Sequence, residues 1–126
     1  VRIKEATENF KRFGKEDQIT LLAGDALEIL KELTGPYAFV FLDAAKAQYI
    51  NYLPEILRML PVGAVLVTDN ILQDGEILES RFSIERRDRT IQARMREYLR
   101  AISEDDRLDT VLLESGDGVA VSVRVR

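Results

Sequence analysis

The sequence has no cysteine, no histidine and no tryptophan. Without cysteine there is no disulfide framework and no thiolate metal site. Without histidine, every histidine-dependent catalytic triad is excluded, and so is a zinc site built on imidazole. Any metal must therefore be held by oxygen atoms, which points to magnesium, calcium or manganese. No apolar run approaches the roughly 20 residues that a membrane-spanning helix needs. The opening Val1-Arg2-Ile3-Lys4-Glu5 alternates charge with apolar residues and lacks the apolar centre of a signal peptide. A cytoplasmic protein with no membrane partner is expected.

What is present is the composition of a soluble globular protein: 126 residues, 46% hydrophobic and 32% charged. One domain accounts for that length. The net charge of -4 gives no general attraction for nucleic acid. The charge is uneven, however, with Arg81, Arg86, Arg87, Arg89, Arg94, Arg96 and Arg100 in one short stretch.

Hydrophobic spacing predicts the elements. Ile3, Ala6, Phe10 and Phe13 lie on one helical face, with Gly14 as C-cap. Ile19–Leu22 reads as a short strand, and Gly24-Asp25 turns the chain into a helix carrying Leu27, Leu30 and Leu33. Asp25 and Glu28 have the form of a capping box. Tyr37–Leu42 is a continuous apolar run, expected as a strand buried on both faces. A helix beginning at Ala44 follows, with Tyr49, Leu53, Ile56, Leu57 and Leu60 inward. Ala64–Thr68 is a second apolar strand, ended by Asp69-Asn70. Residues 71–86 are irregular, and Thr90–Ile102 is helical with Ile91, Met95, Tyr98 and Ile102 inward. Thr110–Leu113 and Val119–Val125 form a terminal antiparallel hairpin around Ser115-Gly116-Asp117-Gly118. This order predicts an α/β sandwich with a mainly parallel sheet.

In open parallel sheets ligands bind beyond the carboxyl ends of the strands. Asp43 and Asp69 both stand there, after strands expected to be neighbours. Two buried carboxylates side by side cost several kcal/mol unless something positive lies between them. A hard cation with carboxylate and amide ligands compensates, and Asn70 supplies an amide oxygen. The plainer alternative is that each aspartate caps the turn or helix that follows it. Lys46, in the first turn of the expected helix, opposes the helix dipole. Beside a cation, a desolvated lysine can serve as a general base; equally, Lys46 can be a solvated surface residue. Asp25 can accept a hydrogen bond from an adenine amino group, or act as the N-cap already described, or both.

Gly24-Asp25-Ala26, Phe41-Leu42-Asp43-Ala44-Ala45-Lys46 with Tyr49, Asp69-Asn70 and Gly116-Asp117-Gly118-Val119-Ala120 together resemble the metal-dependent S-adenosylmethionine O-methyltransferases, the group of the caffeoyl-CoA and catechol enzymes. The resemblance covers essentially the whole chain and implies a Rossmann-like methyltransferase fold. It also implies that Asp25 and Ala26 bind the adenine of S-adenosylmethionine. Asp43 would be a metal ligand that also approaches the cofactor's methionine end, and Asp69 and Asn70 would complete the ligands for magnesium, manganese or calcium. Lys46 would be the catalytic base. Such enzymes are commonly homodimers.

The run Asp43–Tyr49, with Ala45 where many relatives carry aspartate, resembles the bacterial branch that methylates 5-hydroxyuridine at the tRNA wobble position. The stretch from Glu79-Ser80-Arg81-Phe82 to Arg96 does so too. Its arginines either neutralise phosphates of a tRNA acceptor or form a solvated helix face with charge pairs such as Glu85 and Arg89. Catechol-like phenols and acyl-CoA-linked acceptors are the alternative substrates. The family's glycine-rich cofactor loop and ribose-binding acid belong before Val1, so the chain reads as the C-terminal portion of a longer domain. Its strand at Ile19 then lacks its usual neighbours, and weak cofactor binding by this portion alone is expected. A magnesium-binding receiver domain also places aspartates at a parallel sheet edge, but ends in a helix rather than a strand hairpin.

Overall fold

The computed structural model of the chain describes residues 2–71 and 86–126. They fall into two compact units, Val1–Glu32 and Leu33–Arg126. Among the described residues no helix is long and apolar enough to cross a membrane.

The first unit holds two helices, α1 (Arg2–Arg12) and α2 (Ala26–Glu32). Gly14 ends α1 at φ 65°, a conformation in which a side chain would be strained. The amide of Gly14 donates to Lys11 O at 3.1 Å and that of Lys15 to Phe10 O at 2.8 Å, the paired bonds of a Schellman cap. Asp25 caps α2 by accepting from the Glu28 amide at 3.1 Å. The Glu28 carboxylate pairs instead with Lys31 at 3.4 Å, so only half of the capping box forms. Ile19–Leu22 is not a strand. A strand needs a ladder partner for its backbone groups, and among the described residues this stretch has none.

The second unit is one sheet with helices on one face. Its strands are β1 (Phe39–Leu42), β2 (Val65–Asp69), β3 (Leu108–Leu113) and β4 (Val119–Arg124), in spatial order β1-β2-β4-β3. Among the described strands only β1 and β2 run parallel; β4 is antiparallel to both β2 and β3. The expected parallel character thus rests on one pair, and the terminal hairpin forms as the alternation requires. Its turn is closed by the Gly118 amide bonding Ser115 O at 2.9 Å.

Period-two alternation sets the two faces of this sheet. Leu66, Thr68, Ala120, Ser122 and Leu108 are buried on one side. The helices α3 (Tyr49–Met59) and α4 (Arg86–Glu104) supply Tyr49, Leu53, Ile56, Leu57, Met95, Tyr98 and Ile102 to the same core. Thr110 Oγ1 donates to Ile102 O at 2.8 Å and also bonds Ser122 Oγ at 2.9 Å, tying α4 to the hairpin. The helix runs four residues before and two beyond the expected Thr90–Ile102 span.

Phe39 and Phe41 are 60% and 56% exposed, so β1 is not buried on both sides as its unbroken apolar run suggested. It is an edge strand with a partner on one side only, and among the described residues of this unit no helix covers the opposite face. The strand also starts later than Tyr37, whose amide is spent on Met59 O at 3.0 Å.

Candidate functional site

Parallel pairing of β1 with β2 sets Leu42 opposite Thr68. Asp43 and Asp69 are the next residues on each strand, so two adjacent strands end in carboxylates at one edge. Asp43 is exposed, while Asp69 and Asn70 are half-buried. Asn70 has φ 56°, a left-handed turn that asparagine tolerates better than most residues. Its amide donates to Asp69 Oδ1 at 2.8 Å, which orients that carboxylate and leaves its other oxygen unused by this bond. Behind them, the Ile71 amide bonds Gly118 O at 3.3 Å and fastens the strand end to the hairpin.

The helix expected from Ala44 begins later. Ala45 is extended, Lys46–Gln48 form a single 3-10 turn, and α3 starts at Tyr49. The Ala44 amide donates to Tyr49 Oη at 3.1 Å, which folds the connection back over the strand ends. Lys46 is therefore the first residue of a 3-10 turn, half-buried, and not part of an α-helical first turn.

Tyr49 is fully buried, and its hydroxyl donates onward to Asp69 O at 3.4 Å. Burial pushes this phenol up from its ordinary value of 10, the Ala44 bond opposes that, and the charges of Asp43 and Asp69 raise it further. One hydroxyl thus feels both strand-end carboxylates. Its ring meets Tyr98 edge to face, with centroids 5.6 Å apart and planes at 67°. Tyr98 Oη is hydrogen-bonded to Thr68 Oγ1, one residue before Asp69, and both side chains are wholly buried.

Asp43, Asp69 and Asn70 offer two carboxylates and an amide, a hard-oxygen set suited to a divalent cation that keeps some of its water. Among the described residues no hydrogen bond or ion pair engages the Asp43 carboxylate, and Lys46 forms no ion pair. No group of three or more histidine, cysteine or acidic residues that could hold a metal occurs among them either. The donors present fit a cation held by three protein residues, one of them neutral, and not an all-carboxylate cage.

Asp25 and Ala26 belong to the first unit, where the Asp25 carboxylate is the exposed N-cap of α2. Arg89, Arg94, Arg96 and Arg100 lie on α4, where Ala93, Arg96, Glu97 and Arg100 line a shallow concavity of about 320 Å³. Arg100 is 3.9 Å from Glu104, an exposed pair of the solvated-face kind. Gly75, Glu79, Ser80, Arg81, Phe82 and Glu85 lie outside the described residues, as do the side chains of Arg86 and Arg87.

The part played by Tyr49 was not read from its position on the inner face of α3. A phenol among leucines and isoleucines is the available signal, because a buried hydroxyl needs a partner. Gln92, 2% exposed, and Thr68 were missed in the same way.

Sequence and structure comparisons agree with one another. The O-methyltransferase family matches residues 2–125. A caffeoyl-CoA O-methyltransferase of Citrus natsudaidai is 30% identical over 132 residues, covering 91% of this chain and 53% of that protein. A catechol O-methyltransferase of Niastella koreensis is 35% identical over 78 residues, covering 59% of this chain and 35% of that one. The structure of a Podospora anserina methyltransferase with SAH bound superposes with a TM-score of 0.84 at 26% identity, covering 98% of this chain and 56% of that one. The chain spans about half the length of the caffeoyl-CoA relatives it matches.

Proposed function

The chain belongs to the O-methyltransferase family, and from that premise we propose that it is part of an S-adenosylmethionine-dependent enzyme that methylates a hydroxyl of a catechol-like or acyl-CoA-linked phenol. Asp43, Asp69 and Asn70 hold a divalent cation, magnesium first, at the ends of β1 and β2. The observation that carries this is the pairing of Leu42 with Thr68, which sets both aspartates at neighbouring strand ends under one buried hydroxyl. The relatives named for caffeoyl-CoA and catechol chemistry support the small phenolic acceptor.

A cation bound there supplies Lewis acidity, which makes an acceptor hydroxyl easier to deprotonate at neutral pH. The two carboxylates offset the cation's charge, and Asn70 adds a ligand without adding charge. Lys46, on the turn after β1, accepts the acceptor's proton and passes it to solvent. S-adenosylmethionine, when bound, would supply the methyl group, its carbon–sulfur bond breaking to leave a neutral thioether as the acceptor oxygen bonds the methyl carbon. Orientation of the two substrates is the protein's main contribution. Asp25 and Ala26 would hold the adenine of the cofactor, through a carboxylate acceptor and a backbone amide donor.

A second acceptor, 5-hydroxyuridine at the tRNA wobble position, draws support from Arg89, Arg94, Arg96 and Arg100 on α4. Labelled S-adenosylmethionine, magnesium and the whole protein, assayed against catechol, caffeoyl-CoA and hydroxyuridine-containing tRNA, separate the readings. Label on a phenol supports the first; label on RNA alone replaces it with the second. Asp43→Asn is expected to lower the rate at least a hundredfold, and an unchanged rate rejects the cation site.

A further inference from the structure

The two strand ends that carry Asp43 and Asp69 are separate pieces of backbone. Beyond Leu42 and Thr68 no ladder bond joins them, because the β1–β2 register stops there. Among the described residues a single side chain spans the gap. Tyr49 Oη accepts from the Ala44 amide at 3.1 Å, directly after Asp43, and donates to the carbonyl of Asp69 itself at 3.4 Å. One hydroxyl thereby uses both its donor and its acceptor capacity on the two ligand-bearing loops. The hydroxyl has little freedom, because the ring is fully buried and held edge-on by Tyr98. Tyr98 is in turn bonded to Thr68, so the same aromatic pair grips β2 one residue earlier.

The geometry points to Tyr49 as a positioning residue that sets the spacing of the Asp43 and Asp69 carboxylates for a divalent cation. This rests on the cation site proposed above. Tyr49 is not a ligand and does not touch the reacting atoms; its hydroxyl fixes the backbone from which the ligands project. Groups of this outer kind commonly govern metal affinity by about 10–100-fold. Tyr98 is as deeply buried, in the same cluster, but its hydroxyl bonds the Thr68 side chain and not the backbone at Asp43 or Asp69. The two tyrosines therefore separate positioning from mere core packing.

Manganese binding, read by the electron paramagnetic resonance of the free ion, tests this on the chain without cofactor or acceptor. Tyr49→Phe keeps the ring and removes the tie, and is expected to weaken manganese binding about tenfold or more. Tyr98→Phe is expected to lower the urea midpoint comparably while leaving manganese affinity within about twofold of wild type, the change expected of a residue outside the ligand shell. Asp69→Asn identifies the site and is expected to abolish binding. If Asp69→Asn abolishes binding but Tyr49→Phe and Tyr98→Phe bind alike, the positioning role is wrong and the site stands. If wild type and Asp69→Asn do not differ, the site itself is wrong and the inference goes with it. A measurement on the unmutated chain covers the case in which Tyr49→Phe fails to fold. The Ala44 amide should exchange with deuterium as slowly as amides of the β1–β2 ladder, and rapid exchange overturns the tie.

Discussion

Thr68 and Tyr98 make a hydrogen bond between two wholly buried side chains, 30 residues apart in sequence, and their energetic coupling is open to direct measurement. Removing one hydroxyl strands the other in a site that water does not reach. An unsatisfied buried hydroxyl costs about 1–3 kcal/mol, more than the net gain of a typical bond. Tyr98→Phe should therefore destabilise the chain by about 2 kcal/mol, and Thr68→Val by about the same. The double variant leaves no orphaned group, so its loss should stay near that of either single change. The resulting coupling energy is about 1–2 kcal/mol, well outside the ~0.3–0.5 kcal/mol scatter of independent sites. Urea unfolding of the four proteins measures it, with an unchanged slope showing that the comparison is fair. Additive losses would refute the bond as an energetic link and leave only two packed side chains.

The same burial makes an alkaline prediction. Burial holds the Tyr98 phenol up to about 12, while the unfolded chain ionises it near the ordinary 10. The folded state favours the neutral form, so this stabilisation is complete below pH 10 and is lost as the pH rises through about 12. Stability should fall by about 1.4 kcal/mol per pH unit for this group in that window. Phenolate absorbance should show Tyr49 and Tyr98 ionising late, with unfolding; full titration near pH 10 of a still-folded chain would contradict this. A third prediction concerns Gly35, at φ 67° and with the place of a Cβ only 3.1 Å from Met59 Cβ. Gly35→Ala meets both a left-handed backbone and a buried neighbour, and should cost about 1–3 kcal/mol. An unchanged urea midpoint would show that the turn relaxes freely.

How far the sequence carried depended on which contacts are local. The alternation of Val119, Val121, Val123 and Val125 named the hairpin, because strand period and turn chemistry are encoded side by side. That Asp43 and Asp69 end neighbouring strands was legible because each closes an apolar run, and the register brings the two runs together. Burial was less legible. Tyr37–Leu42 looks the same in sequence whether one or both faces are covered, and coverage is settled by distant elements. Ile19–Leu22 has strand composition, yet composition supplies no ladder partner. The later helix start was not legible either: the Ala44 amide is taken by the Tyr49 hydroxyl five residues on, a side-chain contact that propensity does not contain. Tyr49 itself sat in the predicted inner stripe, but a stripe records only that a side chain points inward.

Strand order also imposes a schedule on assembly. Asp69 pairs with Val119 across the β2–β4 ladder. A ribosome adding ~5–20 residues per second releases the first of these several seconds before the second. Until then β2 has only β1 beside it, and the backbone beyond Asp69 has no Gly118 carbonyl to hold it. The hairpin of β3 and β4 can close early from local contacts, whereas its docking onto β2 waits on a long chain closure. The candidate cation site is thus among the last parts of the fold to be completed during synthesis, and a nascent chain stalled before Val119 would carry the acidic residues without the β4 ladder that backs the Asp69 strand end.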